Sequence, residues 1–412
     1  MPWKETDFMS ERVKFIAKYL EGEETFTDLC ELYEISRKTG YKWVKRYNEG
    51  GVEALCEHSR APRSHPNATP DDVVQMILKA RRKHSLWGPK KLLIVLKRQY
   101  PHVDLPSKST TGEILRRHGM IRSRRRRRRS SPHKEPLRAY DNSNAVWCAD
   151  FKGDFPVSGK RCHPLTISDG YSRYLLSCKA LKSTCAAPSR RVFELAFREF
   201  GLPVAIRTDN GAPFSTVAPA GLSRLAVWWI RLGILPERIM PARPDQNGRH
   251  ERMHRTLKEA VAKPPRSSFR AQQRAFDAFR HEYNEVRPHE ALDQKVPADV
   301  YQPSTRTYPR RLPEPEYPEN FEVRKIYPNG VLSFARTQYY VSAALRGEWV
   351  GLQPLPDDRW KVFFAHVAVG IADPKNVQDR GYRHFAHLVP DADDVIRWHG
   401  RKKPHERKDP KL

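Results

Sequence analysis

Apolar positions recur at helical spacing from the start of the chain. Val13, Ile16, Ala17 and Leu20 mark one predicted helix, and Thr27 is placed to cap a second that carries Leu29, Cys30 and Leu32. Ile35 and Ser36 form a turn, and Ser36 caps a third helix over residues 37–48, RKTGYKWVKRYN. In it Tyr41, Val44 and Trp43 are expected to face inward, while Arg37, Lys38, Lys42, Lys45 and Arg46 stay outside. This is the pattern of a helix-turn-helix with a basic recognition helix. A small helical bundle with a solvated basic face is the plainer alternative.

A Pro/Arg/Ser linker follows near Ser59–Asn67. Thr69-Pro70 opens a helix through about His84, and Pro89 to Lys97 and Ser107 to His118 read as two more, the last closed by Gly119. The pattern changes at residue 141. NAVWCADF, CHPLTISDG and RYLLSCKAL are apolar, β-rich stretches joined by short turns, which predicts an antiparallel meander. Ser189 to Phe200 reads as a helix, PVAIRT as a strand, and Gly221–Leu232, Asp245–Ala262 and Phe269–Glu285 as helices, so a mixed α/β sheet is expected. From Phe321 to Asp373 short strands alternate with turns, which fits a small β-barrel.

The resulting multi-domain layout is a helix-turn-helix over 1–60, a second such module over 66–121, a linker over 122–140 and an α/β core over 141–300. A linker over 301–320, a small β-barrel over 321–374 and a frayed basic tail over 375–412 complete it.

Charge sharpens this picture. Lys and Arg number 75 against 48 acidic residues, a formal charge of +27, so an anionic polymer is the expected partner. No stretch approaches the ~18 apolar residues of a membrane span, and the N-terminus lacks the apolar run of a secretory signal, so a cytoplasmic protein without a membrane role is expected. Seven arginines fall between Arg122 and Arg129; Arg124, Arg125, Arg126, Arg127, Arg128 and Arg129 are consecutive. Such a block repels itself, and contact with nucleic-acid phosphates is the functional reading. The six cysteines form no C-x-x-C pair, so neither a zinc knuckle nor a disulfide framework is indicated.

Three acids stand at informative places. Asp150 ends the first apolar strand, Asp209 follows PVAIRT where the chain must turn, and Glu251 lies on a predicted helix. Hard anionic oxygens on rigid elements are what a site for divalent cations requires. Asn247, Glu251, Arg255 and Lys258 fall on one helical face, although a carboxylate beside two cations is by itself an ordinary surface pattern. Asp169 reads as a turn residue and Asp245 as a helix cap. His250 and His254 are open between touching phosphate, moving protons and lying idle on the helix surface. Trp228 and Trp229 suggest packing, and Tyr283, Arg287, Pro288, His289 and Leu292 suggest the folded end of the last core helix.

WCADFKG, DGYSRYLL, RTDNG, PDQNGRHERMHRTLKE and YNEVRPHEALDQKVPADVY together resemble the signatures of bacterial insertion-sequence transposases in the retroviral-integrase, or D-D-E, superfamily. The resemblance covers roughly residues 10–300. It implies a ribonuclease H-like fold, with Asp150, Asp209 and Glu251 as catalytic ligands of two Mg²⁺ ions and Mn²⁺ as an expected substitute. It places Lys258, with Arg255 beside it, on transposon-end DNA. It also implies double-stranded DNA at terminal inverted repeats and at the target as substrate, and a homo-oligomer that joins two ends. The interval between Asp209 and Glu251, residues 210–250, is wider than in the best-known members; PAGLSRLAVWWIRLG is the candidate insertion. The rival readings are a non-catalytic DNA-binding regulator and a nucleic-acid chaperone, which account for the charge but not for the three acids.

Overall fold

The structure is a computed structural model and describes residues 8–57, 68–121, 137–216, 221–239, 244–262, 264–380 and 383–388. The chain divides into two compact units, Met1–Pro70 and Asp71–Leu412.

The first unit packs α1 (Phe8–Glu21), α2 (Phe26–Leu32) and α3 (Arg37–Gly50) around Phe15, Ile16, Leu29, Cys30, Trp43, Val44 and Leu55. Ser36 caps α3 as expected, its side chain accepting from the Thr39 N–H. Three details differ from the sequence reading. The inward stripe of α1 is Phe15 and Ile16, whereas Val13 and Leu20 are exposed. Thr25, not Thr27, caps α2. Tyr41 is 60% exposed and stacks on Phe26 with ring centroids 4.1 Å apart. Gly40 is the physical reason: a Cβ there would meet Cys30 Sγ at 2.8 Å, so α3 approaches α2 along its glycine and turns Tyr41 to the rim.

The second unit begins with α4 (Asp71–Lys83), α5 (Pro89–Gln99) and α6 (Lys108–Arg117), closed over Ile77, Leu78, Trp87, Leu92, Leu96 and Leu115. Ser107 caps α6, and Gly119 takes the positive φ of +65° that ends it. Val286 packs against this bundle, and His84 Nδ1 lies 3.0 Å from Glu282 Oε1.

The six-stranded sheet runs β2 (Phe155–Val157), β3 (Lys160–Asp169), β1 (Val146–Phe151), β5 (Ala205–Thr208), β6 (Leu235–Arg238), with β4 (Leu175–Leu181) also on β3. Strands β1, β3 and β4 form the expected antiparallel meander, and β5 and β6 continue it in parallel with β1. The helices α7 (Ala186–Phe200) and α8 (Arg224–Arg231) bury Phe193, Phe197, Trp228 and Trp229 with Trp147, Leu165 and Ile206 of the sheet. On another part of the sheet α9 (Gly248–Leu257) and α10 (Phe269–His281) cover Cys162, Leu175 and Cys178 with Met253, Leu257, Phe276 and Phe279.

The C-terminal strands give two four-stranded sheets where a barrel was expected. One runs β12 (Val367–Ala372), β11 (Trp360–Phe364), β10 (Trp349–Pro354), β7 (Glu322–Lys325). The other runs β13 (Val377–Arg380), β14 (Arg383–His387), β9 (Thr337–Tyr340), β8 (Val331–Phe334). Among the described residues no strand pairing closes them. The expected tail therefore begins with two paired strands, and β14 joins β9 in parallel through Phe385↔Gln338 to His387↔Tyr340. Helix α8 is buried on both sides: Leu225, Trp228 and Trp229 enter the core of the first sheet, while Ala226, Val227 and Ile230 join Leu332, Val350, Leu352 and Val362 of the C-terminal sheets. The candidate insertion is thus a central packing element.

Candidate nucleic-acid processing site

The β1–β5 register pairs Val146 with Ala205, Trp147 with Ile206 and Cys148 with Arg207. Continued by two residues, it sets Asp150 beside Asp209, at the carboxyl ends of adjacent parallel strands, where neighbouring backbones lie about 4.8 Å apart. Asp209 turns the chain at once, its Oδ1 accepting from the Gly211 N–H at 3.1 Å, while the Asn210 side-chain amide donates to the Ile239 carbonyl at 2.7 Å. Glu251 projects from α9 as an exposed residue, and its charge reaches Asp150. The Asp150 carboxyl is pushed up to about 7, first by burial, then by the charge of Asp209 and more weakly by that of Glu251, against the Phe151 N–H and Lys152, which favour the anion. Asp150 therefore senses the charge of both other acids. Among the described residues they do not already form a group spaced to enclose a metal ion.

Behind Asp150 lies a buried polar cluster. Helix α9 buries His250, Met253, His254 and Leu257, one face at spacings of three and four, and leaves Glu251, Arg252, Arg255 and Lys258 outside. Thr166 and Ser168 of β3 meet the two histidines. Thr166 Oγ1 is 2.8 Å from His250 Nε2, 2.6 Å from His254 Nε2 and 3.1 Å from the Asp150 carbonyl, to which it donates. Ser168 Oγ is 2.8 Å from His250 Nδ1. His254 Nδ1 stands 3.5 Å from Asp150 Oδ2. Burial pushes His250 down to about 3 and His254 lower still, with Lys152 adding to both, so each imidazole is neutral and the contact with Asp150 is not an ion pair. Sequence reasoning left both histidines open and passed over Thr166 and Ser168. The signal was present: His250 and His254 share the period of Met253 and Leu257, and Thr166 and Ser168 lie on one face of a strand.

The other expected residues divide. Arg255 and Lys258 are exposed, and Lys258 opens a π-helical turn over Lys258–Ala262. Asn247 is not on their exposed face: it lies in the 3₁₀ turn Pro244–Asn247 ahead of α9 and is 4% exposed. Asp169, expected in a turn, is the buried last residue of β3, and its carboxylate accepts from the Asn144 N–H and from both the N–H and hydroxyl of Ser172. Asn284 clamps both backbone groups of Leu175 and His289 packs on Tyr283, so the RPH segment closes the fold. Near the other aspartate, Arg207 is buried, pairs with Glu237 at 2.9 Å, and donates to the Tyr140 hydroxyl and the Arg138 carbonyl. Arg249 lies over the same Tyr140 ring at 4.3 Å.

On α3, expected as the recognition helix, Arg37, Lys38, Lys42 and Lys45 are exposed. Arg46 is partly withdrawn: its guanidinium lies 5.0 Å from the Trp43 ring and donates to the Cys56 carbonyl. Lys42 Nζ is 4.4 Å from the same ring. Arg124, Arg125, Arg126, Arg127, Arg128 and Arg129 lie outside the described residues.

Comparison with known proteins finds related families. Models of the "Integrase core domain" match residues 141–244 and 232–297, a "Helix-turn-helix domain" matches 11–63 and a "Homeodomain-like domain" matches 39–115. The chain is 25% identical over 251 residues to the insertion element IS407 uncharacterized 31.7 kDa protein of Burkholderia multivorans, covering 60% of this chain and 86% of that one. It is 26% identical over 223 residues to the insertion element IS476 uncharacterized 39.2 kDa protein of Xanthomonas euvesicatoria, covering 54% of this chain and 62% of the relative. Among solved structures, the HTLV-2 integrase catalytic core in complex with magnesium matches 39% of this chain and 99% of its own, at 15% identity and a TM-score of 0.32.

Proposed function

We propose that this chain, which belongs to the insertion-sequence transposases of the integrase superfamily, cuts DNA at the ends of a mobile element and joins the freed ends to a new site, using Asp150, Asp209 and Glu251. The observation that carries the reading is the placing of Asp150 and Asp209 at matched ends of adjacent parallel strands, with Glu251 near enough to help raise Asp150.

The donor set suits a hard divalent cation. All three side chains offer carboxylate oxygens, and the mutual repulsion that raises Asp150 is what a bound cation relieves. Asp150, Asp209 and Glu251 would hold Mg²⁺ there, as two ions and with Mn²⁺ able to replace it, which would supply charge to activate water or a 3′-hydroxyl and to stabilise the departing oxygen. Glu251, exposed on α9, turns its carboxylate toward the aspartates in this reading. Arg255 and Lys258, on the same exposed face, hold the phosphates that flank the scissile bond. Arg37, Lys38, Lys42 and Lys45 read terminal inverted repeats in the major groove, and the arginine run 124–129 neutralises backbone between the helical modules and the core. Backbone contacts by the two C-terminal sheets and a homo-oligomer on paired ends complete the proposal. The work takes place on DNA in the bacterial cytoplasm.

The test is a joining assay with the full chain, Mg²⁺ and duplexes carrying the inverted repeats that flank its coding sequence. Joined product that disappears in Asp209→Asn, with end binding kept, supports the enzyme. End binding without joining by the unaltered protein replaces it with a DNA-binding regulator.

A further inference from the structure

Helix α9 carries Glu251, β1 carries Asp150, and Thr166 of β3 hydrogen-bonds to both elements. Apolar contacts of Met253 and Leu257 hold α9 against the sheet, but such contacts have no direction of their own. The hydrogen bonds add that direction. With Thr166 donating to the Asp150 carbonyl, its oxygen accepts the Nε2–H groups of His250 and His254, one turn apart, so a single hydroxyl fixes α9 at two levels. Ser168 then donates to His250 Nδ1 and fixes the ring plane. His254 Nδ1, 3.5 Å from Asp150 Oδ2, closes the inward side of that carboxyl.

We propose that His250 and His254 are positioning residues that act through Thr166 and Ser168: they lock the roll of α9, so that Glu251 faces the aspartates, and they keep the Asp150 carboxyl turned outward. The proposal rests on the reading of the three acids as cation ligands. It assigns a purpose to a buried polar cluster that would be a poor way to pack a helix. An all-apolar face would hold α9 at least as firmly without desolvating two imidazoles and two hydroxyls.

The experiment is Mn²⁺ binding to the full-length protein, followed by electron paramagnetic resonance, for the unaltered chain and for Asp150→Asn, His254→Leu, His254→Gln and Thr166→Val. Thermal melting and duplex binding are measured alongside. The expected result is Mn²⁺ affinity lowered about 10- to 100-fold in His254→Leu and Thr166→Val, the usual effect of removing a residue that orients a ligand, with duplex binding unchanged. His254→Gln, which can still donate to Thr166, recovers part of the affinity. If His254→Leu does not fold, Thr166→Val, nearly the same shape without the hydroxyl, decides alone. Variants that melt earlier but bind Mn²⁺ as tightly as the unaltered chain overturn the proposal, since the cluster is then only structural. Mn²⁺ binding absent from the unaltered chain, or unchanged in Asp150→Asn, overturns the carboxylate reading and this proposal with it. Binding lost in Asp150→Asn but normal in the cluster variants overturns this proposal alone.

Discussion

Asp150 and Asp209 occupy matching places on neighbouring parallel strands, because the pairing of Cys148 with Arg207 runs on by two residues to the ends of β1 and β5. Burial together with the charge of Asp209 lifts Asp150 to about 7. The predictions below start from that pair.

Replacing either aspartate by asparagine keeps shape and removes charge. Cleavage and joining are expected to fall on the order of a thousandfold or more, as for groups that act as a unit in a transition state. Duplex binding in a gel-shift assay should hold. A variant that still joins at a tenth of the normal rate would remove that aspartate from the site.

The ionisation of Asp150 sets a pH dependence. Its folded value of about 7 lies above its ordinary 3.8, so without cations the folded state holds a proton that the unfolded chain has released. That contribution to stability is present below pH 3.8 and is lost as pH rises to about 7. His250 runs the other way: lowered to about 3 from 6.5, it costs stability in acid and ceases to do so as pH rises past 6.5. Asp150→Asn removes only the first effect. Its advantage in melting temperature over the unaltered chain should therefore grow from pH 4 to pH 7 in chelator and shrink in excess Mg²⁺. Cation affinity should climb with pH and level off above about 7, since binding must displace the Asp150 proton.

Trp229 is fully buried, 4.9 Å from Phe193 and 6.3 Å from Phe214. Trp229→Ala should cost roughly 3–5 kcal/mol in urea unfolding, the range for a buried tryptophan. If α8 were instead a DNA-contacting insertion, the same change would lower duplex affinity and spare stability.

Arg207 and Glu237 form a pair with side chains 3% and 9% exposed. Glu237→Gln leaves the guanidinium short of its counter-charge and should destabilise the fold by about 3–5 kcal/mol, as when one partner of a buried pair is removed. Equilibrium unfolding measures this, and a loss under 1 kcal/mol would show that the Tyr140 hydroxyl and Arg138 carbonyl suffice.

On α3 two kinds of cation separate. Lys38→Ala should weaken duplex binding and reduce the salt dependence of log K by about one unit, with no change in melting. Arg46→Ala should lower the melting temperature, because Arg46 covers Trp43 and bonds to Cys56. Equal effects of both on binding and none on stability would return Arg46 to the DNA-reading face.

Much of this was legible along the chain. Alternation and helical spacing located the meander, the recognition helix with its Ser36 cap, and the long helix bearing Glu251, because each is a local pattern that burial enforces every second or every third and fourth residue. The misjudged positions were those where a neighbour far away in sequence, or a close helix approach, intervened. Tyr41 was turned outward by the contact of Gly40 with Cys30, and the role of α8, left open along the chain, depended on its second apolar partner, the C-terminal sheets, which begins about a hundred residues later. The barrel expectation failed because short strands declare their alternation but not their partners, and β14 reached back to β9.

The order of residues alone thus located most of the helices and strands, though not β6, β13 or β14, and settled which side chains carry charge and carboxyl chemistry, since those follow from local spacing and composition. Only the fold decided which distant groups meet. The register of β1 against β5, and the convergence of His250 and His254 on Thr166, join residues dozens of positions apart, and burial decides whether such groups are neutral or charged.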